Sequence, residues 1–208
     1  MGIYTDRVLP RLIDRALDTT EFRDVRREQL RSLTGRVLEV GFGAGPNVPF
    51  LPSTVEALYA VDPATSVRGI ASRRLRDRGM TVDYVGLDGA SLDLADESVD
   101  HVVSTMTLCT IPDVERALRE IRRVLVPGGT FHFVDHGLSP DPEVSRRQAR
   151  LNPLHGRIFG GCHLNRDIPA LVSDSGLAVQ ILNADYMRGP KVLGYLYRGT
   201  AKKGTDRH

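Results

Sequence analysis

The chain has 208 residues, with 28 Lys plus Arg against 26 Asp plus Glu and a formal net charge of +2. That length closes one large core with little left for a second domain, and the near-balance of charge offers no field to a polyanion, so a nucleic-acid partner is not expected. No apolar run reaches the roughly 20 residues that span a bilayer, no signal-type apolar region precedes the two cysteines, and Cys109 and Cys162 form no C-x-x-C; free thiols in a reducing cytoplasm are expected.

Residues 1–33 stack Val8-Leu9, Leu12-Ile13 and Ala16-Leu17 four apart among Arg and Asp. This spacing predicts a surface helix that packs one face or lies over a ligand as a lid. Its polar face mixes both signs, which disfavours an interfacial membrane helix and leaves peripheral membrane contact without support. The apolar run Val37-Leu38 then leads into Glu39-Val40-Gly41-Phe42-Gly43-Ala44-Gly45, a buried strand breaking into a glycine turn. Glycine suits such a turn because side chains would block backbone approach to a ligand and because tight turns demand φ > 0. A dinucleotide fingerprint wants G-x-G-x-x-G, and counting from Gly41 its third glycine is Pro46, so the nicotinamide pattern fails there.

Further strands are predicted at 57–62, 81–85, 99–105 and 130–135 after the first at 36–40. Asp62 ends the second, where its carboxylate can accept ribose hydroxyls; Asp62-Pro63 also reads as an N-cap followed by proline at the first helical position. Glu39 is costly to bury unless hydrogen-bonded and is expected to orient the turn or a ligand amine. Between the fourth and fifth strands, Val114, Leu118, Ile121 and Leu125 recur at helical spacing over 113–125, and Pro127-Gly128-Gly129 stops that helix. A helix near 166–175 and two strands at 178–183 and 193–200, with no helical pattern between them, close the chain as an antiparallel pair. The expected fold is one α/β domain over 1–208: a Rossmann-like, seven-stranded, mostly parallel sheet with helices on both faces and a C-terminal antiparallel hairpin.

In such sheets ligands bind beyond the carboxyl ends of the strands, where strand order reverses. That rule adds Asp88-Gly89 after the third strand, Ser104-Thr105-Met106-Thr107 after the fourth, and His136 after the fifth to the candidate list. His136 is the candidate general base, since histidine titrates near neutrality; its alternative is a loop hydrogen bond. The segment 137–165 is expected to form a substrate-side insert. Within it, Cys162-His163 supplies too few ligands for zinc and adjacent residues rarely converge, so no metal site is expected. His101 and His132 fall inside strands and read as sheet-face or core residues, and Tyr186, Met187, Tyr195 and Tyr197 read as pocket wall or packing.

Three segments, Val37–Gly45, Ser98–Cys109 and Val124–His136, together resemble the class I S-adenosylmethionine-dependent methyltransferases that act on small molecules, including the quinone-ring and phospholipid amine enzymes. The acidic-x-G-x-G-x-G stretch is similar to their motif I. Thr107-Leu-Cys109, Asp135-His136 and Phe159-Gly-Gly-Cys-His-Leu-Asn165 resemble the membrane-associated alkyl thiol methyltransferases, whose N-terminal anchor has no counterpart among these residues. The resemblance implies S-adenosylmethionine as cofactor, held by Glu39, Gly41, Gly43, Gly45, Asp62, Pro63, Asp88, Gly89 and Thr105, with Asp88 taking the adenine amine. It implies methyl transfer to a small lipophilic acceptor, a thiol before an amine, phenol or quinone. Positioning alone can supply about 7–11 kcal/mol of such a reaction, and forming a thiolate at pH 7 costs only about 2 kcal/mol, so a modest base suffices. A nicotinamide oxidoreductase and a non-catalytic binding protein are the alternatives.

Overall fold

Strands apolar on both faces belong in the middle of a parallel sheet. In the computed structural model, which describes Tyr4 and residues 8–205, the most apolar runs take those places. Strand β1 (Gly35–Val40) lies between β2 (Val55–Val61) and β4 (Val99–Thr105), all parallel, with β3 (Asp83–Tyr84) outside β2. On the other side β4 pairs in parallel with β5 (Leu125–His136), and β7 (Tyr195–Lys203) lies antiparallel between β5 and β6 (Leu177–Tyr186). The order β3-β2-β1-β4-β5-β7-β6 reverses direction between β1 and β4.

Helices α3 (Arg68–Asp77) and α4 (Val114–Val124) serve the crossovers, and α6 (Ile168–Asp174) precedes the terminal hairpin. The α4 stripe is as its spacing predicts: Val114, Leu118 and Ile121 are buried and Asp113 caps the helix by accepting from the Arg116 N–H. The helix yields to β5 at Leu125, ahead of Pro127. The two sheet faces carry separate cores. One joins Leu38, Val102, Leu118 and Phe131; the other joins Leu30, Val37, Phe42, Leu58 and Val103.

The N-terminal segment differs from its expected form. Its first residues, 1–3 and 5–7, lie outside the described residues, and the remainder makes two helices, α1 (Leu9–Ala16) and α2 (Thr20–Leu30). On α1 only Leu9 is buried, while Val8, Leu12 and Ile13 are exposed. The helix is held by polar contacts instead: Asp14 pairs with Arg74 at 2.7 and 3.0 Å, and the same guanidinium donates to the Ala44 carbonyl at 2.8 Å. The packing face belongs to α2, which buries Phe22, Val25, Arg26 and Leu30 behind a Thr19 cap. The insert is mostly helix α5 (Pro142–Ile158), which runs through Pro153.

Candidate active site

Because the connections that leave β1 and β4 run in opposite directions at the switch point, a cleft is expected between the loops that follow the two strands. The loop after β1 is the glycine turn, and Gly41, Gly43 and Gly45 all have positive φ, at 84°, 52° and 70°. Gly41 and Gly45 are also sterically determined, the second because a Cβ there would press on Val48 at 3.2 Å. A Cβ on Gly41 would overlap the Thr107 side chain, whereas a Cβ on Gly43 would meet nothing nearer than Asp62 Oδ2 at 4.0 Å. Gly43 therefore leaves space that any side chain would fill, at the point where a ligand can reach the backbone.

Asp62 binds that turn to the end of β2. Its Oδ2 accepts from the Gly43 N–H at 2.8 Å and its Oδ1 from the Ala64 N–H at 2.6 Å. The capping alternative fails: after Pro63 the chain makes a 3-10 turn, Thr65–Val67, and α3 starts only at Arg68. Burial raises the Asp62 carboxyl above its ordinary value against those two hydrogen bonds.

Glu39 is buried, and its Oε1 accepts from Asn47 Nδ2 at 3.0 Å. Burial pushes its carboxyl up to about 8, opposed by the Asn47 hydrogen bond and by Arg26. Asn47 also donates to Thr105 Oγ1 at 3.1 Å, and Thr105 Oγ1 donates to Gln29 Oε1 at 2.9 Å. Gln29 in turn donates to the Ser104 carbonyl, so α2 is linked to both cleft loops. Sequence reasoning named Glu39 and Thr105 but not Asn47, Gln29 or Arg26. Asn47 was within reach, as the one amide immediately beyond the glycine turn. Across the cleft, Asp88 Oδ1 accepts from the Ala90 N–H at 2.9 Å in a tight Asx turn, and a Cβ on Gly89 would press on Val40 at 3.1 Å. Seven of the expected cofactor residues, Glu39, Gly41, Gly43, Gly45, Asp62, Pro63 and Thr105, thus belong to one connected wall. Asp88 and Gly89 stand apart from it, on the loop after β3.

The acceptor side is built around Asp135 and His136 at the end of β5. Asp135 is buried, and its Oδ2 accepts from the N–H groups of Thr107 at 2.8 Å and Cys109 at 3.3 Å, fixing the loop after β4. His136 is buried too, and its Nε2 lies 2.9 Å from Cys162 Sγ, which is 3.3 Å from Cys109 Sγ. Both thiols are free, as expected. The adjacent pair Cys162-His163 does not converge on one point, in line with its sequence. Cys162 converges not with His163 but with Cys109 and His136, from three separate segments, and the three ligand atoms lie within 4.8 Å of one another.

Hydrogen bonding from Cys109 and His136 lowers the Cys162 thiol despite burial, while Cys109 is pushed up. Burial alone would lower the His136 imidazole, but Cys162 and Asp135 outweigh it and raise it. His101 and His132 are sheet-face residues, 3.2 Å apart between Nδ1 and Nε2, and away from this group. Tyr197 donates to the Leu138 carbonyl and Tyr186 pairs with Ser139 Oγ, so both tyrosines brace the insert.

The family profile described as a methyltransferase domain matches residues 38–133, which run from within β1 into β5. Thiol S-methyltransferase TMT1A of Homo sapiens is 34% identical over 135 residues, covering 63% of this chain and 55% of the relative. Together with the fold, these matches support a class I S-adenosylmethionine-dependent methyltransferase. Thiol S-methyltransferase TMT1B of Rattus norvegicus is 31% identical over 148 residues, covering 67% of this chain and 60% of the relative. The chain therefore spans little more than half the length of the curated relatives it matches. The solved N-methyltransferase NodS of Bradyrhizobium japonicum shares the fold at a TM-score of 0.70 and 17% identity, covering 91% of this chain and 90% of that one. Among the described residues no helix is long and apolar enough to cross a membrane. The family's cofactor fits this cleft: the open face of Gly43 admits a ligand against the backbone, Asp62 and Glu39 on the wall supply acceptors for hydroxyl and amino groups, and Asp88 supplies another from the loop after β3.

Proposed function

We propose that this methyltransferase moves a methyl group from S-adenosylmethionine to the sulfur of a small lipophilic thiol. When bound, the cofactor supplies an electrophilic methyl on a sulfonium centre. In this reading Asp62 uses its remaining lone pairs for the ribose hydroxyls, and Asp88 with the Gly89 N–H meets the adenine edge. The turn Gly41–Gly45 carries the close backbone approach, while Glu39 and Thr105, cross-linked by Asn47, hold the methionine end. His136 stays the acceptor-side catalytic candidate, now as one of three residues acting together with Cys109 and Cys162.

The observation that carries the cofactor half is the open backbone at Gly43 beside Asp62, on the sheet edge where strand order reverses. The thiol half is supported by the identity to two thiol S-methyltransferases. Labelled S-adenosylmethionine offered with a panel of small thiols, amines and phenols tests both. The expected product is a methyl thioether from at least one thiol. Transfer confined to amines or phenols would overturn the acceptor assignment, and tight cofactor binding with no transfer to any of them would make the chain a binding protein.

A further inference from the structure

The cluster behind the loop after β4 has more structure than a single general base requires. Two buried thiols and one buried imidazole, Cys109, Cys162 and His136, point their ligand atoms at a common volume. Each comes from a differently anchored element. Cys109 is set by the Asp135 carboxylate accepting from its own N–H and that of Thr107. His136 ends β5 in register with β7. Cys162 is delivered by a turn that needs positive φ at Gly160 and Gly161, at 62° and 92°. That turn is tied to the first segment, because the His163 N–H donates to the Cys109 carbonyl at 2.8 Å. His155 Nδ1 lies 3.1 Å from the Cys162 carbonyl, and Asn152 accepts from the Leu164 N–H at 2.8 Å, holding the turn from α5. Sulfur, sulfur and imidazole nitrogen are ligands that a thiophilic divalent cation selects.

We propose that Cys109, His136 and Cys162 form a three-ligand site for such a cation, of the zinc class, and that its open fourth position binds the acceptor thiol as a thiolate. The acceptor part rests on the thiol reading above; the cation part does not. Zinc bonds of about 2.3 Å to sulfur and 2.0–2.1 Å to nitrogen separate tetrahedral ligand atoms by roughly 3.4–3.8 Å. The observed separations of 2.9 and 3.3 Å need only small side-chain shifts to admit an ion. Two thiolates and the Asp135 carboxylate against the Arg166 guanidinium, which donates to the neighbouring Leu108 carbonyl, leave a formal charge that one divalent cation cancels. Asp135 Oδ1 and His136 Nδ1 are buried without a hydrogen-bond partner.

The site adjoins the cofactor cleft. Thr107, two residues before Cys109, forms the surface on which Gly41 rests. The step balances: the acceptor thiol gives its proton to solvent on coordination, and its sulfur pair forms the new bond to the methyl carbon. The carbon–sulfonium bond breaks onto the departing S-adenosylhomocysteine, and the thioether, a poorer ligand than a thiolate, leaves.

Cobalt(II) titrated into the reduced, metal-free 208-residue chain tests the proposal without any variant. The expected result is near-ultraviolet sulfur-to-cobalt charge-transfer absorption, with visible bands of a tetrahedral ion, saturating at one equivalent per chain. A small alkyl thiol should then raise the charge-transfer intensity by about half, as two thiolates become three, and Cys162→Ser should halve the starting intensity. Absence of charge-transfer absorption in the unaltered protein, or an identical spectrum in Cys162→Ser, overturns the site. A cobalt spectrum indifferent to thiol overturns its acceptor role. Failure of the thiol reading itself is distinguishable, because the spectrum would respond to thiol while labelled S-adenosylmethionine yields no thioether.

Discussion

Glu39 shows how far single positions can be read before coordinates exist. Its place one residue before the glycine turn's first strand exit marks it as a carboxylate that must be partnered if buried, and the structure supplies the partner in Asn47. Asn47 itself was not legible, because nothing local distinguishes an amide that caps a carboxylate from one that turns a loop. Cys109 and Cys162 were legible only separately. Cys109 follows β4 whereas Cys162 follows α5, and it is the packing of the insert against the loop after β4, not spacing, that brings them together.

Burial pushes the Glu39 carboxyl from 4.5 up to about 8 in the folded chain. The native state therefore holds a proton that the unfolded chain has released, and stability is fully present below about pH 4.5 and falls as pH rises through 8. Urea midpoints measured across pH 5–9 should fall with a slope that Glu39→Gln flattens, since glutamine keeps an oxygen for Asn47 and cannot ionise. Equal slopes in the two proteins would show that Glu39 is ionised in the fold.

Elements were legible where burial leaves a period. Strands β1, β4 and β5 and helix α4 carry apolar residues that the sheet covers, and their positions match the sequence pattern within a few residues. Helix α5 was not, because Leu151, Leu154 and Ile158 are exposed on it and Pro153 reads as a stop. Helix α1 misled in the opposite sense: its apolar stripe is conspicuous, yet the Asp14–Arg74 pair is what holds it. Helix α2 connects the N-terminal segment to the cleft, with Gln29 reaching Thr105 and the Ser104 carbonyl. Its cap is a single hydroxyl, Thr19 Oγ1, which accepts from the Phe22 N–H at 3.2 Å. Thr19→Ala should cost about 1 kcal/mol of folding stability in urea denaturation. No loss would mean that burial of Phe22 and Leu30 alone fixes the helix start.

The sheet as a whole explains why the cleft lies where it does. Placing β1 and β4 side by side, with β2 and β3 wound one way and β5 the other, leaves one gap at the carboxyl edge and sends the glycine turn, Asp62, the loop at 104–110 and His136 to it. The terminal pair β6 and β7 closes the far side antiparallel, the arrangement expected from two strands with no helical pattern between them. One prediction depends on all of this at once. Calorimetric titration of the folded protein with S-adenosylhomocysteine, run at two temperatures so that a zero enthalpy cannot conceal binding, should give one site per chain. Asp62→Ala should weaken it about 10- to 100-fold, the loss of a charged hydrogen bond worth about 1.5–3 kcal/mol. No heat at either temperature, or an affinity unchanged by Asp62→Ala, would contradict the assignment of this cleft.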